Sequence, residues 1–384
     1  MKNTYFVLAA AYLSFLALGF FDGAFTVAWP VIRYDMELPL DRAGLIISVN
    51  SVMYVLSGSQ MGRFSHRIQL GSINLAGILT ISLGLLGLSA ANGVAALVLA
   101  GGVAGFGMGM MDYSLNLYMT RNFSSRYMSW LHCCWSIGAT LSPVLMSQMV
   151  LFASWRHGYV ALASIQIVIA AFVLISLIRG VWIMRGNEQD AGETGSDTAT
   201  YLTHPRYRYL NMLIFFLYVG TEYSIGFWTT SVMLDSRGKS IDAAAAFPAV
   251  YFASIMAGRI VSGYLAKYLS NSAMIRAGLL LAVVGLLVLM FTNSVAGIAL
   301  VGLGFAPVYP SLMHDTARLF SPEVLTKQVG YQIAAAAMGV ALLGPVLGVV
   351  LANVSPEKLF PLSIVTAALV FALNVAICRG VSTR

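Results

Sequence analysis

Apolar residues follow one another in long runs separated by short polar breaks, from the amino terminus almost to the last residue. A run of about 20 apolar residues, coiled as an α-helix, matches the hydrocarbon thickness of a bilayer. The pattern predicts twelve such helices, over residues 4–32, 42–63, 72–91, 94–119, 127–152, 156–183, 208–234, 243–268, 273–292, 295–319, 326–353 and 358–379. The first run is too long for the apolar core of a signal peptide and no small-residue cleavage site follows it, so it is expected to remain as a helix.

One break is longer than the others. Between Arg185 and Arg208, Gly186-Asn187-Glu188-Gln189-Asp190 and the stretch from Gly192 to Thr200 read as a polar linker. This predicts a six-helix bundle over 1–183, a cytoplasmic linker over 184–207 and a second six-helix bundle over 208–384. The halves repeat. Gly105-Phe106-Gly107 answers Gly302-Leu303-Gly304, Ser114-Leu115 answers Ser311-Leu312, and Arg121-Asn122-Phe123-Ser124 answers Arg318-Leu319-Phe320-Ser321. Gly62-Arg63-Phe64-Ser65 likewise answers Gly263-Tyr264-Leu265-Ala266. The expected fold class is an all-α membrane protein of two pseudo-symmetric six-helix repeats.

Composition agrees. Of 384 residues, 59% are hydrophobic and 10% charged, with a mean hydropathy of +0.81; soluble domains carry about 25% charged residues. With a cytoplasmic amino terminus, only Arg33, Arg42, Arg156, Arg237, Lys239 and Lys358 of the 22 Lys and Arg face outward. The remainder, Arg259 among them, fall with the inner ends and loops, which satisfies the positive-inside rule with both termini cytoplasmic. The net charge of +7 follows from this asymmetry and calls for no nucleic-acid partner. The expected setting is the inner, cytoplasmic membrane of the cell, with the chain working as a monomer. Cys133, Cys134 and Cys378 fall within helices at no metal-ligand spacing and read as small packing residues.

Candidate chemistry lies where charge interrupts the apolar runs. Asp22, Asp112 and Glu222 each sit inside a predicted helix, and intramembrane carboxylates mark ion or substrate paths. Asp22 is a candidate to bind and release a proton in each cycle; the alternative is a polar packing residue. Asp112 and Asn116, four apart, share a helix face and can offer a carboxylate and an amide to hydroxyl groups. Proton and substrate roles are both open for Asp112. Glu222, Tyr218 one turn before it and Trp228 further along, which offers an apolar ring face, are substrate-site candidates; for Glu222 a second titrating group or an inter-repeat hydrogen bond are the alternatives. In Trp130-Leu131-His132-Cys133-Cys134-Trp135-Ser136, His132 and Trp135 are further substrate-site candidates, with a satisfied packing histidine as the alternative for His132. Gln332 is the approximate repeat mate of His132, and Tyr309 stands between the helix-bending Pro307 and Pro310. His314 and Asp315 read as a solvated helix end.

Two repeats of six helices with intramembrane charge resemble the major facilitator superfamily, over the whole chain. The family's loop signature after its second helix is Gly-x-Leu-Ala-Asp-Arg-x-Gly-Arg. Gly62-Arg63-Phe64-Ser65-His66-Arg67 keeps its Gly, apolar, small and Arg positions, with His66 in place of the acidic residue. The resemblance implies a gating role for Gly62, Arg63 and Arg67; the alternative is a plain topology signal. Within the superfamily, Phe20-Phe21-Asp22, the Gly-rich helix ending Asp112-Tyr113-Ser114-Leu115-Asn116, and Tyr218-Val219-Gly220-Thr221-Glu222 are similar to the fucose/proton symporter branch. That branch has Gln at the place of His132 and often at the place of Glu222. The resemblance implies a secondary active carrier moving a small polar solute, a monosaccharide or sugar derivative, inward with protons by alternating access.

The rival reading is a proton-driven exporter of drugs or metabolites. The Gly-Pro-x-x-Gly-Gly run common in exporters of the superfamily is missing from the fifth helix, which reads Gly138-Ala139-Thr140-Leu141-Ser142-Pro143. A uniporter is a third reading. No Gly-x-Ser-x-Gly, His-Glu-x-x-His or paired-cysteine pattern points to an enzyme, a metal site or a cofactor.

Overall fold

The computed structural model describes residues 2–64, 68–123, 125–182 and 205–382. All regular structure among them is helical. In the first half lie α1 (Lys2–Asp35), α2 (Arg42–Phe64), α3 (Leu70–Ala90), α4 (Val94–Asn122), α5 (Ser125–Phe152) and α6 (Trp155–Ile178). The second half holds α7 (Pro205–Asp235), α8 (Ile241–Leu265), α9 (Asn271–Phe291), α10 (Val295–Phe305), α11 (Val308–Leu319), α12 (Pro322–Met338), α13 (Gly344–Asn353) and α14 (Leu359–Ser382). The chain divides into two compact units, Met1–Glu193 and Thr194–Arg384. The linker expected over 184–207 lies outside the described residues as far as position 204.

The fold is that of an all-α membrane protein with twelve crossing segments. Among the described residues, eleven are both long and apolar enough to span a bilayer. The twelfth, α2, has the length, but Asn50, Ser51, Ser57 and Gln60 dilute its apolar character.

Three helices depart from the predicted bounds, each for a local reason. The sixth stops at Ile178 rather than 183, because Gly180 takes a left-handed φ of 64° and turns the chain. The tenth crossing breaks at Ala306–Pro307 into α10 and α11, since proline cannot supply the amide hydrogen that a continuous helix needs. The eleventh contains a π-helical turn, Gly339–Leu343, between α12 and α13.

Glycine sets the closest helix contacts. In the first unit α1 packs along α5, with Gly19 against the backbone of Trp135 and Gly138 against the carbonyl of Leu16. In the second, α7 packs on the π turn through Gly220 against Gly339. Both pairs occupy corresponding places in the repeats, and neither leaves room for a Cβ. Without a hydrophobic driving force in lipid, such small-residue contacts let backbones approach and gain dispersion energy.

Each unit is also tied together at the end carrying its odd-numbered connections, by one arginine. In the first unit Arg156 Nη1 donates to the carbonyls of Ser89 (2.8 Å) and Ala91 (2.7 Å), and Nη2 to Asn92 Oδ1 (3.2 Å). Its neighbour Trp155 donates to Asp35 Oδ2 at 3.1 Å. In the second unit Arg237 holds Glu357 through Nε (2.9 Å) and Nη2 (2.8 Å), while Nη1 bonds the carbonyl of Thr292 and Asn293 Oδ1. Asn92 and Asn293 correspond in the repeat, as do Arg156 and Glu357, so the repeats share the clasp while the cation has moved to another loop. Truncating Arg237 to Ala is expected to cost about 1–3 kcal/mol by stranding Glu357 and the loop carbonyl. Thermal unfolding in detergent measures this; the exchange Arg237→Glu with Glu357→Arg is expected to recover part of the loss.

Asp315, expected in a solvated helix end, is buried instead. It accepts from Asn271 Nδ2 (2.8 Å) and Ser272 Oγ (3.4 Å) in the first turn of α9. A carboxylate there complements the amino-terminal end of the α9 dipole.

Candidate functional site

Each unit presents its own set of ionisable groups inside crossing helices. In the first, Asp22 on α1 faces α5, and Trp135 Nε1 donates to its Oδ2 at 3.2 Å. The Gly19–Gly138 crossing just described brings these two helices close enough for that bond. Phe15, further back on α1, meets the ring of His132 edge-on at 5.1 Å, and His132 is exposed.

Asp112 on α4 is held by two neutral donors. Tyr54 of α2 donates its hydroxyl to Oδ2 at 2.8 Å, and Asn116 donates its amide to Oδ1 at 2.9 Å and to the Asp112 carbonyl at 3.0 Å. The four-residue spacing thus produces the shared face expected from the sequence, with the amide turned onto the carboxylate. Tyr54 completes the group and carried no signal of its own, one tyrosine in the most polar of the crossings. Among the described residues neither Asp22 nor Asp112 has a cation within salt-bridge distance.

Glu222 is different. It stands on α7 one position before Tyr223, the repeat mate of Asp22, so the two carboxylates point about 100° apart around their corresponding helices. Glu222 therefore faces α8, where Arg259 Nη2 lies 3.8 Å from its Oε1. The charge pattern counts Arg259 with the inward-facing cations at a helix end; it stands six residues before the end of α8, Ile241–Leu265, within the span. A signal was present: the register that matches Gly62 to Gly263 sets Arg259 against Gly58, a full turn inside the helix. Tyr251 of α8 donates to the Glu222 carbonyl at 2.9 Å, and Tyr218 donates to the carbonyl of Phe305 at 2.8 Å. Both phenol groups lie within electrostatic reach of Glu222 and Arg259.

The remaining candidates sit apart from these clusters. Trp228 is fully buried, its ring against Gly348 and its Nε1 bonded to the Gly344 carbonyl at 3.0 Å, so it serves the packing of α7 on α13. Gln332 is buried too; its amide bonds Asn211 Oδ1 and Thr316 Oγ1, which ties α12 to α7 and α11 and separates it in character from the exposed His132. Tyr309 is half-buried, edge-on to Phe215 at 5.7 Å. Gly62 and Arg63 lie in the last turn of α2, where side chains are not described, and Arg67 lies outside the described residues, so the gating group stays an expectation. No group of three or more His, Cys, Asp or Glu arranged to hold a metal occurs among the described residues.

The sequence profile described as Major Facilitator Superfamily matches residues 11–342. The chain belongs to the major facilitator superfamily. It is a transporter. No curated protein matches it. Solved structures similar to it include a bacterial homolog of the human lysosomal transporter Spinster, inward-facing and occupied. That one has a TM-score of 0.77 at 13% identity and covers 99% of this chain and 97% of its own. A point mutant of the nucleoside transporter NupG gives 0.77 at 11% identity, with 98% and 99% covered. A POT family transporter in complex with 5-aminolevulinic acid gives 0.76 at 13%, with 97% and 95% covered. At such identities the likeness is one of fold.

Proposed function

We propose that this superfamily member takes up a small polar solute, a monosaccharide or sugar derivative, together with protons, by alternating access in the inner membrane. The observation that carries the reading is the neutral coordination of Asp22 and Asp112. Each is a carboxylate inside a crossing helix, bonded among the described residues only to an indole, a phenol or an amide. Such a group can gain and lose a proton without making or breaking an ion pair, which suits a coupling residue. A carboxylate held by exchangeable neutral donors also suits hydroxyl recognition, since a solute hydroxyl can replace Tyr54 or Asn116 on Asp112 with little net change in hydrogen bonding. Trp135, half-buried beside Asp22, supplies the ring face that Trp228 keeps inside the packing.

The test is uptake of labelled monosaccharides, sugar acids and nucleosides into proteoliposomes, with and without an inwardly directed proton gradient. Accumulation above equilibrium of at least one sugar-like solute, dependent on the gradient, is expected. Equilibration without accumulation points to a uniporter, and gradient-driven efflux of amphipathic compounds to an exporter; either overturns the reading.

A further inference from the structure

The second unit holds a charge pair that proton coupling through Asp22 and Asp112 leaves unused. Arg259 and Glu222 face each other across α8 and α7, with 24% and 16% of their side chains exposed. Their contact is loose. At 3.8 Å the guanidinium and carboxylate attract, yet they stand beyond hydrogen-bond range, about 3.2 Å for N–H···O. Among the described residues the Arg259 guanidinium makes no hydrogen bond at all, although it carries five donors in a planar fork. A structural Arg–Glu pair in this same chain looks otherwise: Arg237 holds Glu357 through two bonds of 2.9 and 2.8 Å and spends a third nitrogen on a loop. Arg259 has the charge of such a pair without its satisfaction.

A cation with unused donors inside a membrane helix is costly unless an anion completes it. We propose that Arg259 binds an anionic group of the cargo, a carboxylate or phosphate, and that Glu222 stands in for that group in the empty carrier. The coplanar oxygens of a carboxylate fit the guanidinium fork as two parallel bonds, a geometry that Glu222 at 3.8 Å does not reach. The inference rests on the uptake reading and narrows its cargo from sugars in general to sugar acids or sugar phosphates.

The experiment compares matched solutes: D-glucose, D-glucuronate and D-glucose 6-phosphate, and D-galactose with D-galacturonate. Thermal unfolding of the purified carrier reports binding, and proteoliposome uptake reports transport. The acidic member of a set is expected to raise the unfolding temperature and to be taken up in preference to its neutral partner. Arg259→Gln is expected to remove that preference, with a loss of about tenfold or more in apparent affinity for the acid. Arg259→Lys keeps the charge but not the fork and is expected to retain part of it. Glu222→Gln removes the internal competitor and is expected to tighten acid binding severalfold; should Arg259→Gln fail to fold, this variant decides alone. Equal responses to neutral and acidic solutes, no acid response in the wild-type carrier, an acid preference surviving Arg259→Gln, or acid binding unmoved in Glu222→Gln each overturn the proposal. Gradient-driven uptake of a neutral sugar with no preference for its acid sinks this inference and leaves the uptake reading standing. Acid binding without any gradient-driven accumulation does the reverse.

Discussion

Asp22→Asn and Asp112→Asn are each expected to abolish accumulation against a gradient, reducing uptake of a transported sugar in proteoliposomes to its equilibrium level. Asparagine matches aspartate in shape and offers no exchangeable acid proton, so the substitution isolates coupling from packing. The two sites differ in how clean that isolation is. At position 22 the amide oxygen can still accept from Trp135 Nε1, the single bond the carboxylate makes, so the folded carrier should survive nearly unchanged. At position 112 both carboxylate oxygens are in use, one with Tyr54 and one with Asn116. An amide has one oxygen to offer, and its nitrogen would meet either a hydroxyl or another amide nitrogen. One contact must therefore reverse its direction, with the Tyr54 hydroxyl oxygen or a flipped Asn116 amide oxygen accepting, and this rearrangement costs about 1 kcal/mol or less. Asp112→Asn should therefore lower the unfolding temperature as well as end accumulation, while Asp22→Asn should end accumulation alone. Exchange of labelled for unlabelled solute in the absence of a gradient separates the roles. It should persist in Asp22→Asn if that residue handles only the proton, and fail in Asp112→Asn if the same carboxylate also contacts cargo. Undiminished accumulation in either variant removes that residue from coupling.

What the sequence made legible follows from which physical signals are one-dimensional. Run length and polarity are, so the helices and the repeat could be placed within a few residues along the chain. Intramembrane carboxylates stand out for the same reason, because a charge in an apolar run is visible without knowing its neighbours. Partners are a different matter. Tyr54 reaches Asp112 from α2 and Trp135 reaches Asp22 from α5, pairs separated by 58 and 113 positions, and no periodicity links them. Arg259 shows how little a one-dimensional rule says about direction. Near the end of its helix a cation satisfies the positive-inside pattern wherever its side chain points, and only the neighbouring α7 reveals that it points back along the span toward Glu222. Trp228 and Gln332 show the converse, since polar and aromatic residues in a crossing helix attract attention equally when they hold helices together.

Glycine is where the packing and the site meet. Leucine at position 19 or 138 is expected to destabilise the first unit by about 1–3 kcal/mol or more, since overpacking forces backbone shifts when the obstacle cannot rotate away. Here the obstacle is backbone: the added carbon at Gly19 would strike the Trp135 carbonyl, and that at Gly138 the Leu16 carbonyl. The carbonyl that blocks Gly19 belongs to the residue whose indole bonds Asp22, so any outward shift of α5 carries Trp135 away from the carboxylate. A milder Gly19→Ala should then show a graded form of the same defect, with part of the folded carrier recovered but accumulation reduced more than solute exchange. Gly263→Ala is the control, since an added carbon there meets nothing within 4 Å, and neither stability nor uptake should fall. Size-exclusion profiles and unfolding temperatures in detergent report the first effect, and paired accumulation and exchange assays the second. If Gly19→Ala lowers exchange and accumulation equally, the α1–α5 crossing supports the fold without setting the Asp22–Trp135 geometry, and the link from helix spacing to coupling fails.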